Sequence, residues 1–336
     1  MYKKKPSRST YRSFFWPILL LGAGVIWLLV NMSVIPEENL WFLYQLWPAL
    51  IIVAGLDVMF ARRLPLVGVL LALLLVAGVV YVLLTGAALG LEGKPEPQMD
   101  SFELAVGETQ QVQLDLKLST QDTVIKALED SNDLIEADVW HYGDMEFIVD
   151  GSQKKHIEFR HTGFLSGLPG FIYANYQEDL TWHIGLNPDV PFSIHADAST
   201  GHSKFDLSGI RLEELVFDGS TGRSKIILPE STNAYQVTLE GSTGAMWVSL
   251  PTEANLTLHL EGSTGEIVLD APEGAPIQVE VLKGGTGDVI LPAWVGKTSG
   301  REDRDEGLYQ SESFTSADFR MQIIVEDIST GNIVLE

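Results

Sequence analysis

The sequence predicts a mainly β protein: a β-solenoid-like domain with rungs of about 22 residues, preceded by three transmembrane α-helices. Two observations carry this reading. The tripeptide Ser-Thr-Gly recurs at a fixed period in the second half of the chain, and the first ninety residues hold three long apolar segments.

The marker ends at Gly201, Gly222, Gly244 and Gly265, with a relaxed copy at Gly287 and a further copy at Gly331. Steps of 21 or 22 residues mean one structural unit stacked on copies of itself. The final step, from 287 to 331, is twice as long and predicts a copy that lost its marker near Tyr309. Short alternating runs flank each glycine: Tyr235, Val237 and Leu239 before one, Met246, Val248 and Leu250 after it, then Leu256, Leu258 and Leu260. Period two with one apolar face is a half-buried strand. Proline follows several of the second strands, at Pro229, Pro251 and Pro292, where a missing N–H ends the ladder. The six glycines are expected at corners with positive φ, so the repeated marker has a structural reading before a ligand-binding one. Regular repeats are expected over 192–336, and the less regular stretch from Ser101 to Asp189 belongs to the same domain as an atypical terminal part. The polar run GKTSGREDRDEG inside 296–313 reads as an exposed loop.

Three spans are expected, at about 14–34, 41–60 and 64–89, each near the ~20 residues that cross a bilayer core. This makes 1–93 a membrane domain, 94–98 a linker and 99–336 the β domain. Lys3, Lys4, Lys5, Arg8 and Arg12 precede the first span, and Arg62 and Arg63 lie between the second and third. The positive-inside rule then puts the N-terminus in the cytoplasm and the C-terminal domain outside. Gly22, Gly24 and Gly55 suit close helix approach, and Asp57 is the one ionisable residue inside a span. These four are the candidate contacts for a membrane partner, although Asp57 near a helix end also reaches the headgroups readily. Pro48 predicts a kink in the second span.

Charge and composition exclude several classes. Residues 1–94 hold 8 basic and 4 acidic residues, and the remainder holds 14 basic and 41 acidic, a net −27. So acidic a domain is not built to bind nucleic acid. There is no cysteine, hence no disulfide, thiolate metal site or cysteine nucleophile. The seven histidines are scattered and read as strand or surface residues, so no metal or other cofactor is expected. Asp197, Asp206 and Asp218 are the nearest to a carboxylate cluster of the kind found in β-helix lyases, yet they fall at different positions in the rung. No catalytic residues are assigned. Asn255-Leu256-Thr257 matches a glycosylation sequon, a motif too short to weigh.

The paired segments FFWPILLLGAGVIWLLVNMSV and QLWPALIIVAGLDVMF resemble the transmembrane region of LiaI/LiaF-type bacterial envelope-stress proteins. LIEADVWHYGDMEFIVDG and the stretch from WHIGLNPDV to SKIILP resemble the toastrack domain of LiaF-like and adhesin-like proteins. The resemblance implies a β domain anchored in the bacterial cytoplasmic membrane and facing outward, in some members restraining a two-component sensor kinase. The expected function is non-enzymatic: a regulator or scaffold of the envelope stress response acting through protein contacts. A sensor histidine kinase or another membrane protein is the expected partner, with a homo-oligomer as a further expectation. The alternative is a cell-surface adhesin or polysaccharide-binding module, which would present an exposed aromatic row drawn from Trp140, Trp182, Trp247 and Trp294.

Overall fold

The structure, a computed structural model, describes residues 14–60, 65–91, 96–118, 122–129, 131–162, 180–262, 264–301 and 305–336. The basic residues used for orientation (Lys3, Lys4, Lys5, Arg8, Arg12, Arg62 and Arg63) lie outside these ranges, as do Glu302 and Asp303 of the charged loop. The chain forms two compact units, Met1–Glu96 and Pro97–Glu336.

The first unit is helical. Helix α1 (Phe15–Asn31) is shorter than the expected first span. Its 17 residues rise about 26 Å at 1.5 Å each, against a hydrocarbon core of ~30 Å. The expected second span is divided into α2 (Trp41–Gln45) and α3 (Trp47–Phe60), with a bend of 51° between the apolar helical stretches Glu37–Leu43 and Trp47–Phe60. Pro48 is the physical reason. It cannot donate back to residue 44 and its ring crowds that carbonyl, so the helix restarts with Pro48 in its first turn. Helix α4 (Pro65–Thr85) continues through a 3-10 turn, and Leu66–Leu89 is the one helix among the described residues long and apolar enough to cross a membrane unaided. Val30, Ile35, Phe42 and Leu83 form a small apolar centre. Asn39 Nδ2 ties the turn before α2 to α4 by donating to the Leu83 carbonyl at 2.7 Å. The remaining helix surfaces expose Leu20, Leu21, Trp27, Ile52, Val58, Leu66 and Leu74, the reverse of a water-facing surface.

The second unit is mainly β. Its strands are β1 (Gln98–Ala105), β2 (Gln111–Leu118), β3 (Asp122–Ala127), β4 (Asp133–His141), β5 (Asp144–Asp150), β6 (Lys154–Thr162) and β7 (Thr181–Leu186). The repeat region follows as β8 (Phe192–Ala198), β9 (Ser203–Asp206), β10 (Leu212–Gly219), β11 (Arg223–Ile227), β12 (Ser231–Gly241), β13 (Ala245–Ser249), β14 (Ala254–Gly262) and β15 (Glu266–Asp270). The C-terminal part holds β16 (Ile277–Val281), β17 (Val289–Ile290), β18 (Val295–Gly300), β19 (Gly307–Ser311), β20 (Met321–Ile328) and β21 (Ile333–Leu335).

From β8 to β15 the chain alternates between two sheets, which we call A (odd strands here) and B (even strands). Neighbours pair in parallel and in matching positions: Ser224 opposes Met246 and Met246 opposes Ile267 in sheet A, and Val237 opposes Leu258 in sheet B. These partners stand 22, 21 and 21 positions apart in sequence. Because the offset is nearly constant, equivalent apolar residues stack in rows between the sheets. Val237, Leu239, Leu258, Leu260, Ile226 and Val248 are all fully buried there. At about 1.5–3 kcal/mol for each aliphatic side chain, this continuous core is what holds the two sheets together. The first strands close one end with antiparallel pairs, β1 with β4, β4 with β7 and β5 with β6.

The C-terminal end departs from the sequence reading. No rung with a lost marker stands between those of Gly287 and Gly331. Instead β20 lies between β14 and β16, and β21 between β15 and β17. The last strands of the chain are inserted between the two preceding units, and β16 and β17 are pushed outward. Tyr309, where the missing marker was expected, lies on β19, which pairs antiparallel with β16 and with β18 as an edge hairpin. The apolar alternation of Ile277, Val279 and Val281 matches that of Met321, Ile323 and Val325, so either strand fits the slot beside β14 by pattern alone. From this edge position the chain returns past β16 to enter β20 on its other side.

Candidate functional site

The glycine corners form one column. A β-carbon on Gly222 would overlap the carbonyl oxygen of Gly201, one on Gly244 that of Gly222, and one on Gly265 that of Gly244. The column continues through Gly331 against Gly265 and then Gly287 against Gly331, the same reordering as the strands. The expected positive φ is not the reason for these glycines. None of Gly222, Gly244, Gly265, Gly287 or Gly331 has one, whereas Gly143, Gly151 and Gly274 in other turns do. What excludes a side chain is close backbone approach between stacked corners. Each corner also continues the backbone ladder: Thr221 N donates to Ser199 O at 3.0 Å, Thr243 N to Ser220 O at 2.8 Å and Thr264 N to Ser242 O at 2.8 Å. Thr286 Oγ1 caps the Ser329 carbonyl at 3.0 Å. The degenerate corner expected at Ser119-Thr120-Gln121 lies outside the described residues.

In the helical unit Gly22 faces Val76 of α4 so closely that a β-carbon would overlap that side chain. Gly24 and Gly55 have nothing within 4 Å of a built β-carbon. Among the described residues, only the first of the three therefore has such a packing contact. Asp57 is 3% exposed, so its side chain is buried rather than turned outward.

The outer face of sheet B is acidic and histidine-bearing. Asp197 and Asp218 are direct partners on β8 and β10, in contrast to the different rung positions expected for them, and Glu240 and Glu261 extend the row over β12 and β14. Asp206 lies apart, in sheet A. Partial desolvation and the repulsion of Asp218, Glu261, Glu326 and Asp197 raise the carboxyl of exposed Glu240 above its ordinary range. Basic groups stand at both ends of the row. At one end Arg160 and Lys117 hold Glu158 below the usual carboxylate range by hydrogen bonds at 2.7 and 3.0 Å. At the other, Lys283 pairs with Asp327. Asp115 accepts His156 at 2.7 Å and lies 3.4 Å from His195, whose other nitrogen is 3.6 Å from Glu214. His259 pairs with Glu326 at 2.7 Å. These pairs join residues up to 80 positions apart through strand register, a relation that no local spacing in the sequence announces. No group of three metal-ligating side chains occurs among the described residues.

The outer face of sheet A differs. Register places one row across it: His183, Val124, Lys204, Lys225, Trp247, Val268, Val334 and Ile290. Among these eight residues there is no carboxylate; beyond His183 the register continues to exposed Asp138 on β4, which accepts the Ser101 hydroxyl at 2.6 Å. Lys126 and Arg223 flank its basic half and also point outward. Trp247 is 41% exposed and Ile290 50%, while Val268 between Trp247 and Val334 is only 9% exposed. The nearest acids on the basic side are occupied in turns. Asp122 accepts the His202 N–H at 2.7 Å, and Asp206 accepts the Ser208 hydroxyl at 2.7 Å. Of the four tryptophans expected in an aromatic row, Trp182 is fully buried and donates to the Trp140 carbonyl at 3.0 Å, and Trp294 packs against the core. Trp140 and Trp247 remain exposed but stand on β4 and β13, five strands apart in sheet A, so they form no row.

Residues 14–59 match the LiaI-LiaF-like transmembrane region, and residues 94–249 match the N-terminal domain of toast_rack. Neither is an enzyme family. No curated protein matches. Two solved structures are similar. One is a putative cell adhesion protein from Clostridium sporogenes, with 17% identity and a TM-score of 0.49 over 71% of this chain and 99% of that one. The other is a putative adhesin from Bacteroides fragilis, with 9% identity and a TM-score of 0.30 over 72% and 99%. With a LiaI-LiaF-like transmembrane region joined to a toast_rack domain on one chain, the protein belongs to the LiaF-like toast_rack proteins.

Proposed function

We propose that the protein is a non-enzymatic regulator or scaffold of the bacterial cell-envelope stress response, anchored in the cytoplasmic membrane with its β domain outside. One observation carries the reading: a helical unit with apolar outer surfaces and a charged β unit are matched, on one chain, by the two families just named. The helical unit crosses three times in this proposal, as α1, as the bent pair α2 and α3, and as α4. The β unit is a solenoid-like stack with rungs of about 22 residues, a reading supported by the parallel partner offsets. Its flat charged faces are surfaces for contact, and the membrane partner is a protein such as a sensor histidine kinase. Gly24 and Gly55, open on the helix surface, are the positions where such a partner helix approaches. The experiment is cross-linking in membranes of the parent chain and the Gly24→Leu/Gly55→Leu variant. Retrieval of a defined membrane protein by the parent and its loss in the variant is the expected result. Equal retrieval by both removes the membrane-contact part of the proposal.

A further inference from the structure

We propose that the lysine–tryptophan row on the outer face of sheet A is a binding site for a linear anionic polysaccharide. The basis is a charge arrangement that the fold itself does not need. Residues 95–336 carry 14 basic against 41 acidic side chains, yet four of the bases, Lys126, Lys204, Arg223 and Lys225, stand on three neighbouring strands of one face. None of the four side chains makes an ion pair among the described residues. Lys204 and Lys225 are direct partners on adjacent parallel strands, where like charges destabilise a sheet. In so acidic a domain carboxylates to neutralise them are abundant, but the row has none on β3, β9, β11 or β13: its carboxylate, Asp138, stands three strands from Lys204 on β4 and accepts the Ser101 hydroxyl, and Asp122 and Asp206 beside the row are held in turns. An anion supplied from outside resolves the repulsion.

The same row identifies the rest of the ligand. Trp247 is the direct partner of Lys225, so the two cations and the indole stand side by side across β9, β11 and β13. At 4.7–4.9 Å between strands this stretch spans about 10 Å. An indole face takes the apolar C–H face of a sugar ring, and lysines beside it take carboxylate or phosphate groups on the neighbouring sugars. The site is a strip rather than a patch. Its apolar part is one residue wide, and Glu266 and Asp270 stand on either side of Val268. A protein partner needs roughly 800 Å² per side with an apolar centre, which a strip does not offer. A linear polymer lying across the strands fits it. The acidic outer face of sheet B repels such a polymer, so binding is confined to one side of the domain.

The test uses the full chain in neutral detergent and three labelled polymers: polygalacturonate as the anionic glycan, dextran as the neutral glycan and poly-L-glutamate as the anionic polypeptide. The parent is expected to bind polygalacturonate, more weakly as salt rises, and to bind dextran and polyglutamate at least about tenfold more weakly. Lys204→Ser/Lys225→Ser and Trp247→Ala should each lose about tenfold or more on polygalacturonate. Trp247→Leu, which keeps a cover over Val268 while removing the flat ring, should lose as much as Trp247→Ala. Lys154→Ser/Lys155→Ser on β6 of sheet B should bind like the parent. The proposal is overturned by parent chain that does not bind polygalacturonate at low salt, by unchanged binding in the lysine pair or in Trp247→Leu, or by polyglutamate binding as tightly as the glycan, which would mean an acidic polypeptide partner. Any of these leaves the membrane-regulator reading standing, because that reading is tested by cross-linking through the helices.

Discussion

Gly244 shows how much one atom decides in this fold. Any β-carbon there meets the Gly222 carbonyl oxygen, and the corner cannot move without breaking the backbone bonds above and below it. Gly244→Val is therefore expected to destabilise the β unit by about 3 kcal/mol, read as a lower denaturation midpoint. Thr243→Ala should lie within about 0.5 kcal/mol of the parent, since the Thr243 hydroxyl is exposed and makes no hydrogen bond among the described residues. Glu240 supplies the electrostatic counterpart. Its folded-state pKa is raised, so the ionised form is disfavoured by folding, and the cost is present at neutral pH. Below the ordinary carboxylate range both states are protonated and the cost vanishes. Glu240→Gln should accordingly raise the melting temperature at pH 7 by roughly 1–3 °C. The gain should shrink as the pH falls through the raised pKa and be gone near pH 4. A gain that persists at low pH would show that repulsion by Asp218 and Glu261 is not its source.

At the scale of elements, what was legible in the sequence is what depends on short-range pattern. The alternation around Tyr235, Met246 and Leu256 named inward-facing residues correctly, because period two fixes the face once a strand exists. The position of β20 was not legible. Its apolar pattern fits the slot beside β14 no better than that of β16, so the alternation alone does not select which strand takes the slot. For the same reason the acid row and the Asp115–His195 contact escaped notice, as both exist only through register between distant strands. The corner glycines were located by their period but explained by the wrong mechanism, since stacking distance leaves no trace in a single sequence. The insertion has its own consequence. Chain ending at residue 319 lacks β20 and β21 and leaves the sides of β14 and β16 unpaired, whereas shortening the 301–306 connection between β18 and β19 removes none of the described core residues. Truncation should abolish cooperative unfolding of the β unit, and shortening the connection should leave it intact. Equal behaviour of the two would contradict a central place for the last strands.

For the whole molecule the contrast between the two units is the governing fact. The helices turn Leu20, Trp27, Ile52 and Leu66 outward, while the β unit turns apolar groups inward and charges outward. Water serves only the second, so the helical unit needs a hydrocarbon environment. The orientation proposed for it rests on Arg62 and Arg63 between the last two spans and on the basic N-terminus. With three crossings, a reporter active only outside the cell is expected to work when fused after Glu336 and to be silent when fused after Arg63. Because α1 is short and the α2–α3 stretch is bent, the informative third fusion lies after Ile35, before α2. A hairpin of two crossings puts Ile35 outside and makes that fusion active. If α2 and α3 form a re-entrant loop instead, Ile35 and Arg63 lie on the same side, both fusions report alike, and the number of crossings falls to two. The Glu336 fusion would then share the side of the N-terminus, and with an N-terminus held inside by its lysines the β domain would face the cytoplasm. Activity at Ile35 and Glu336 with silence at Arg63 is the one pattern that supports three spans and an outward β domain together.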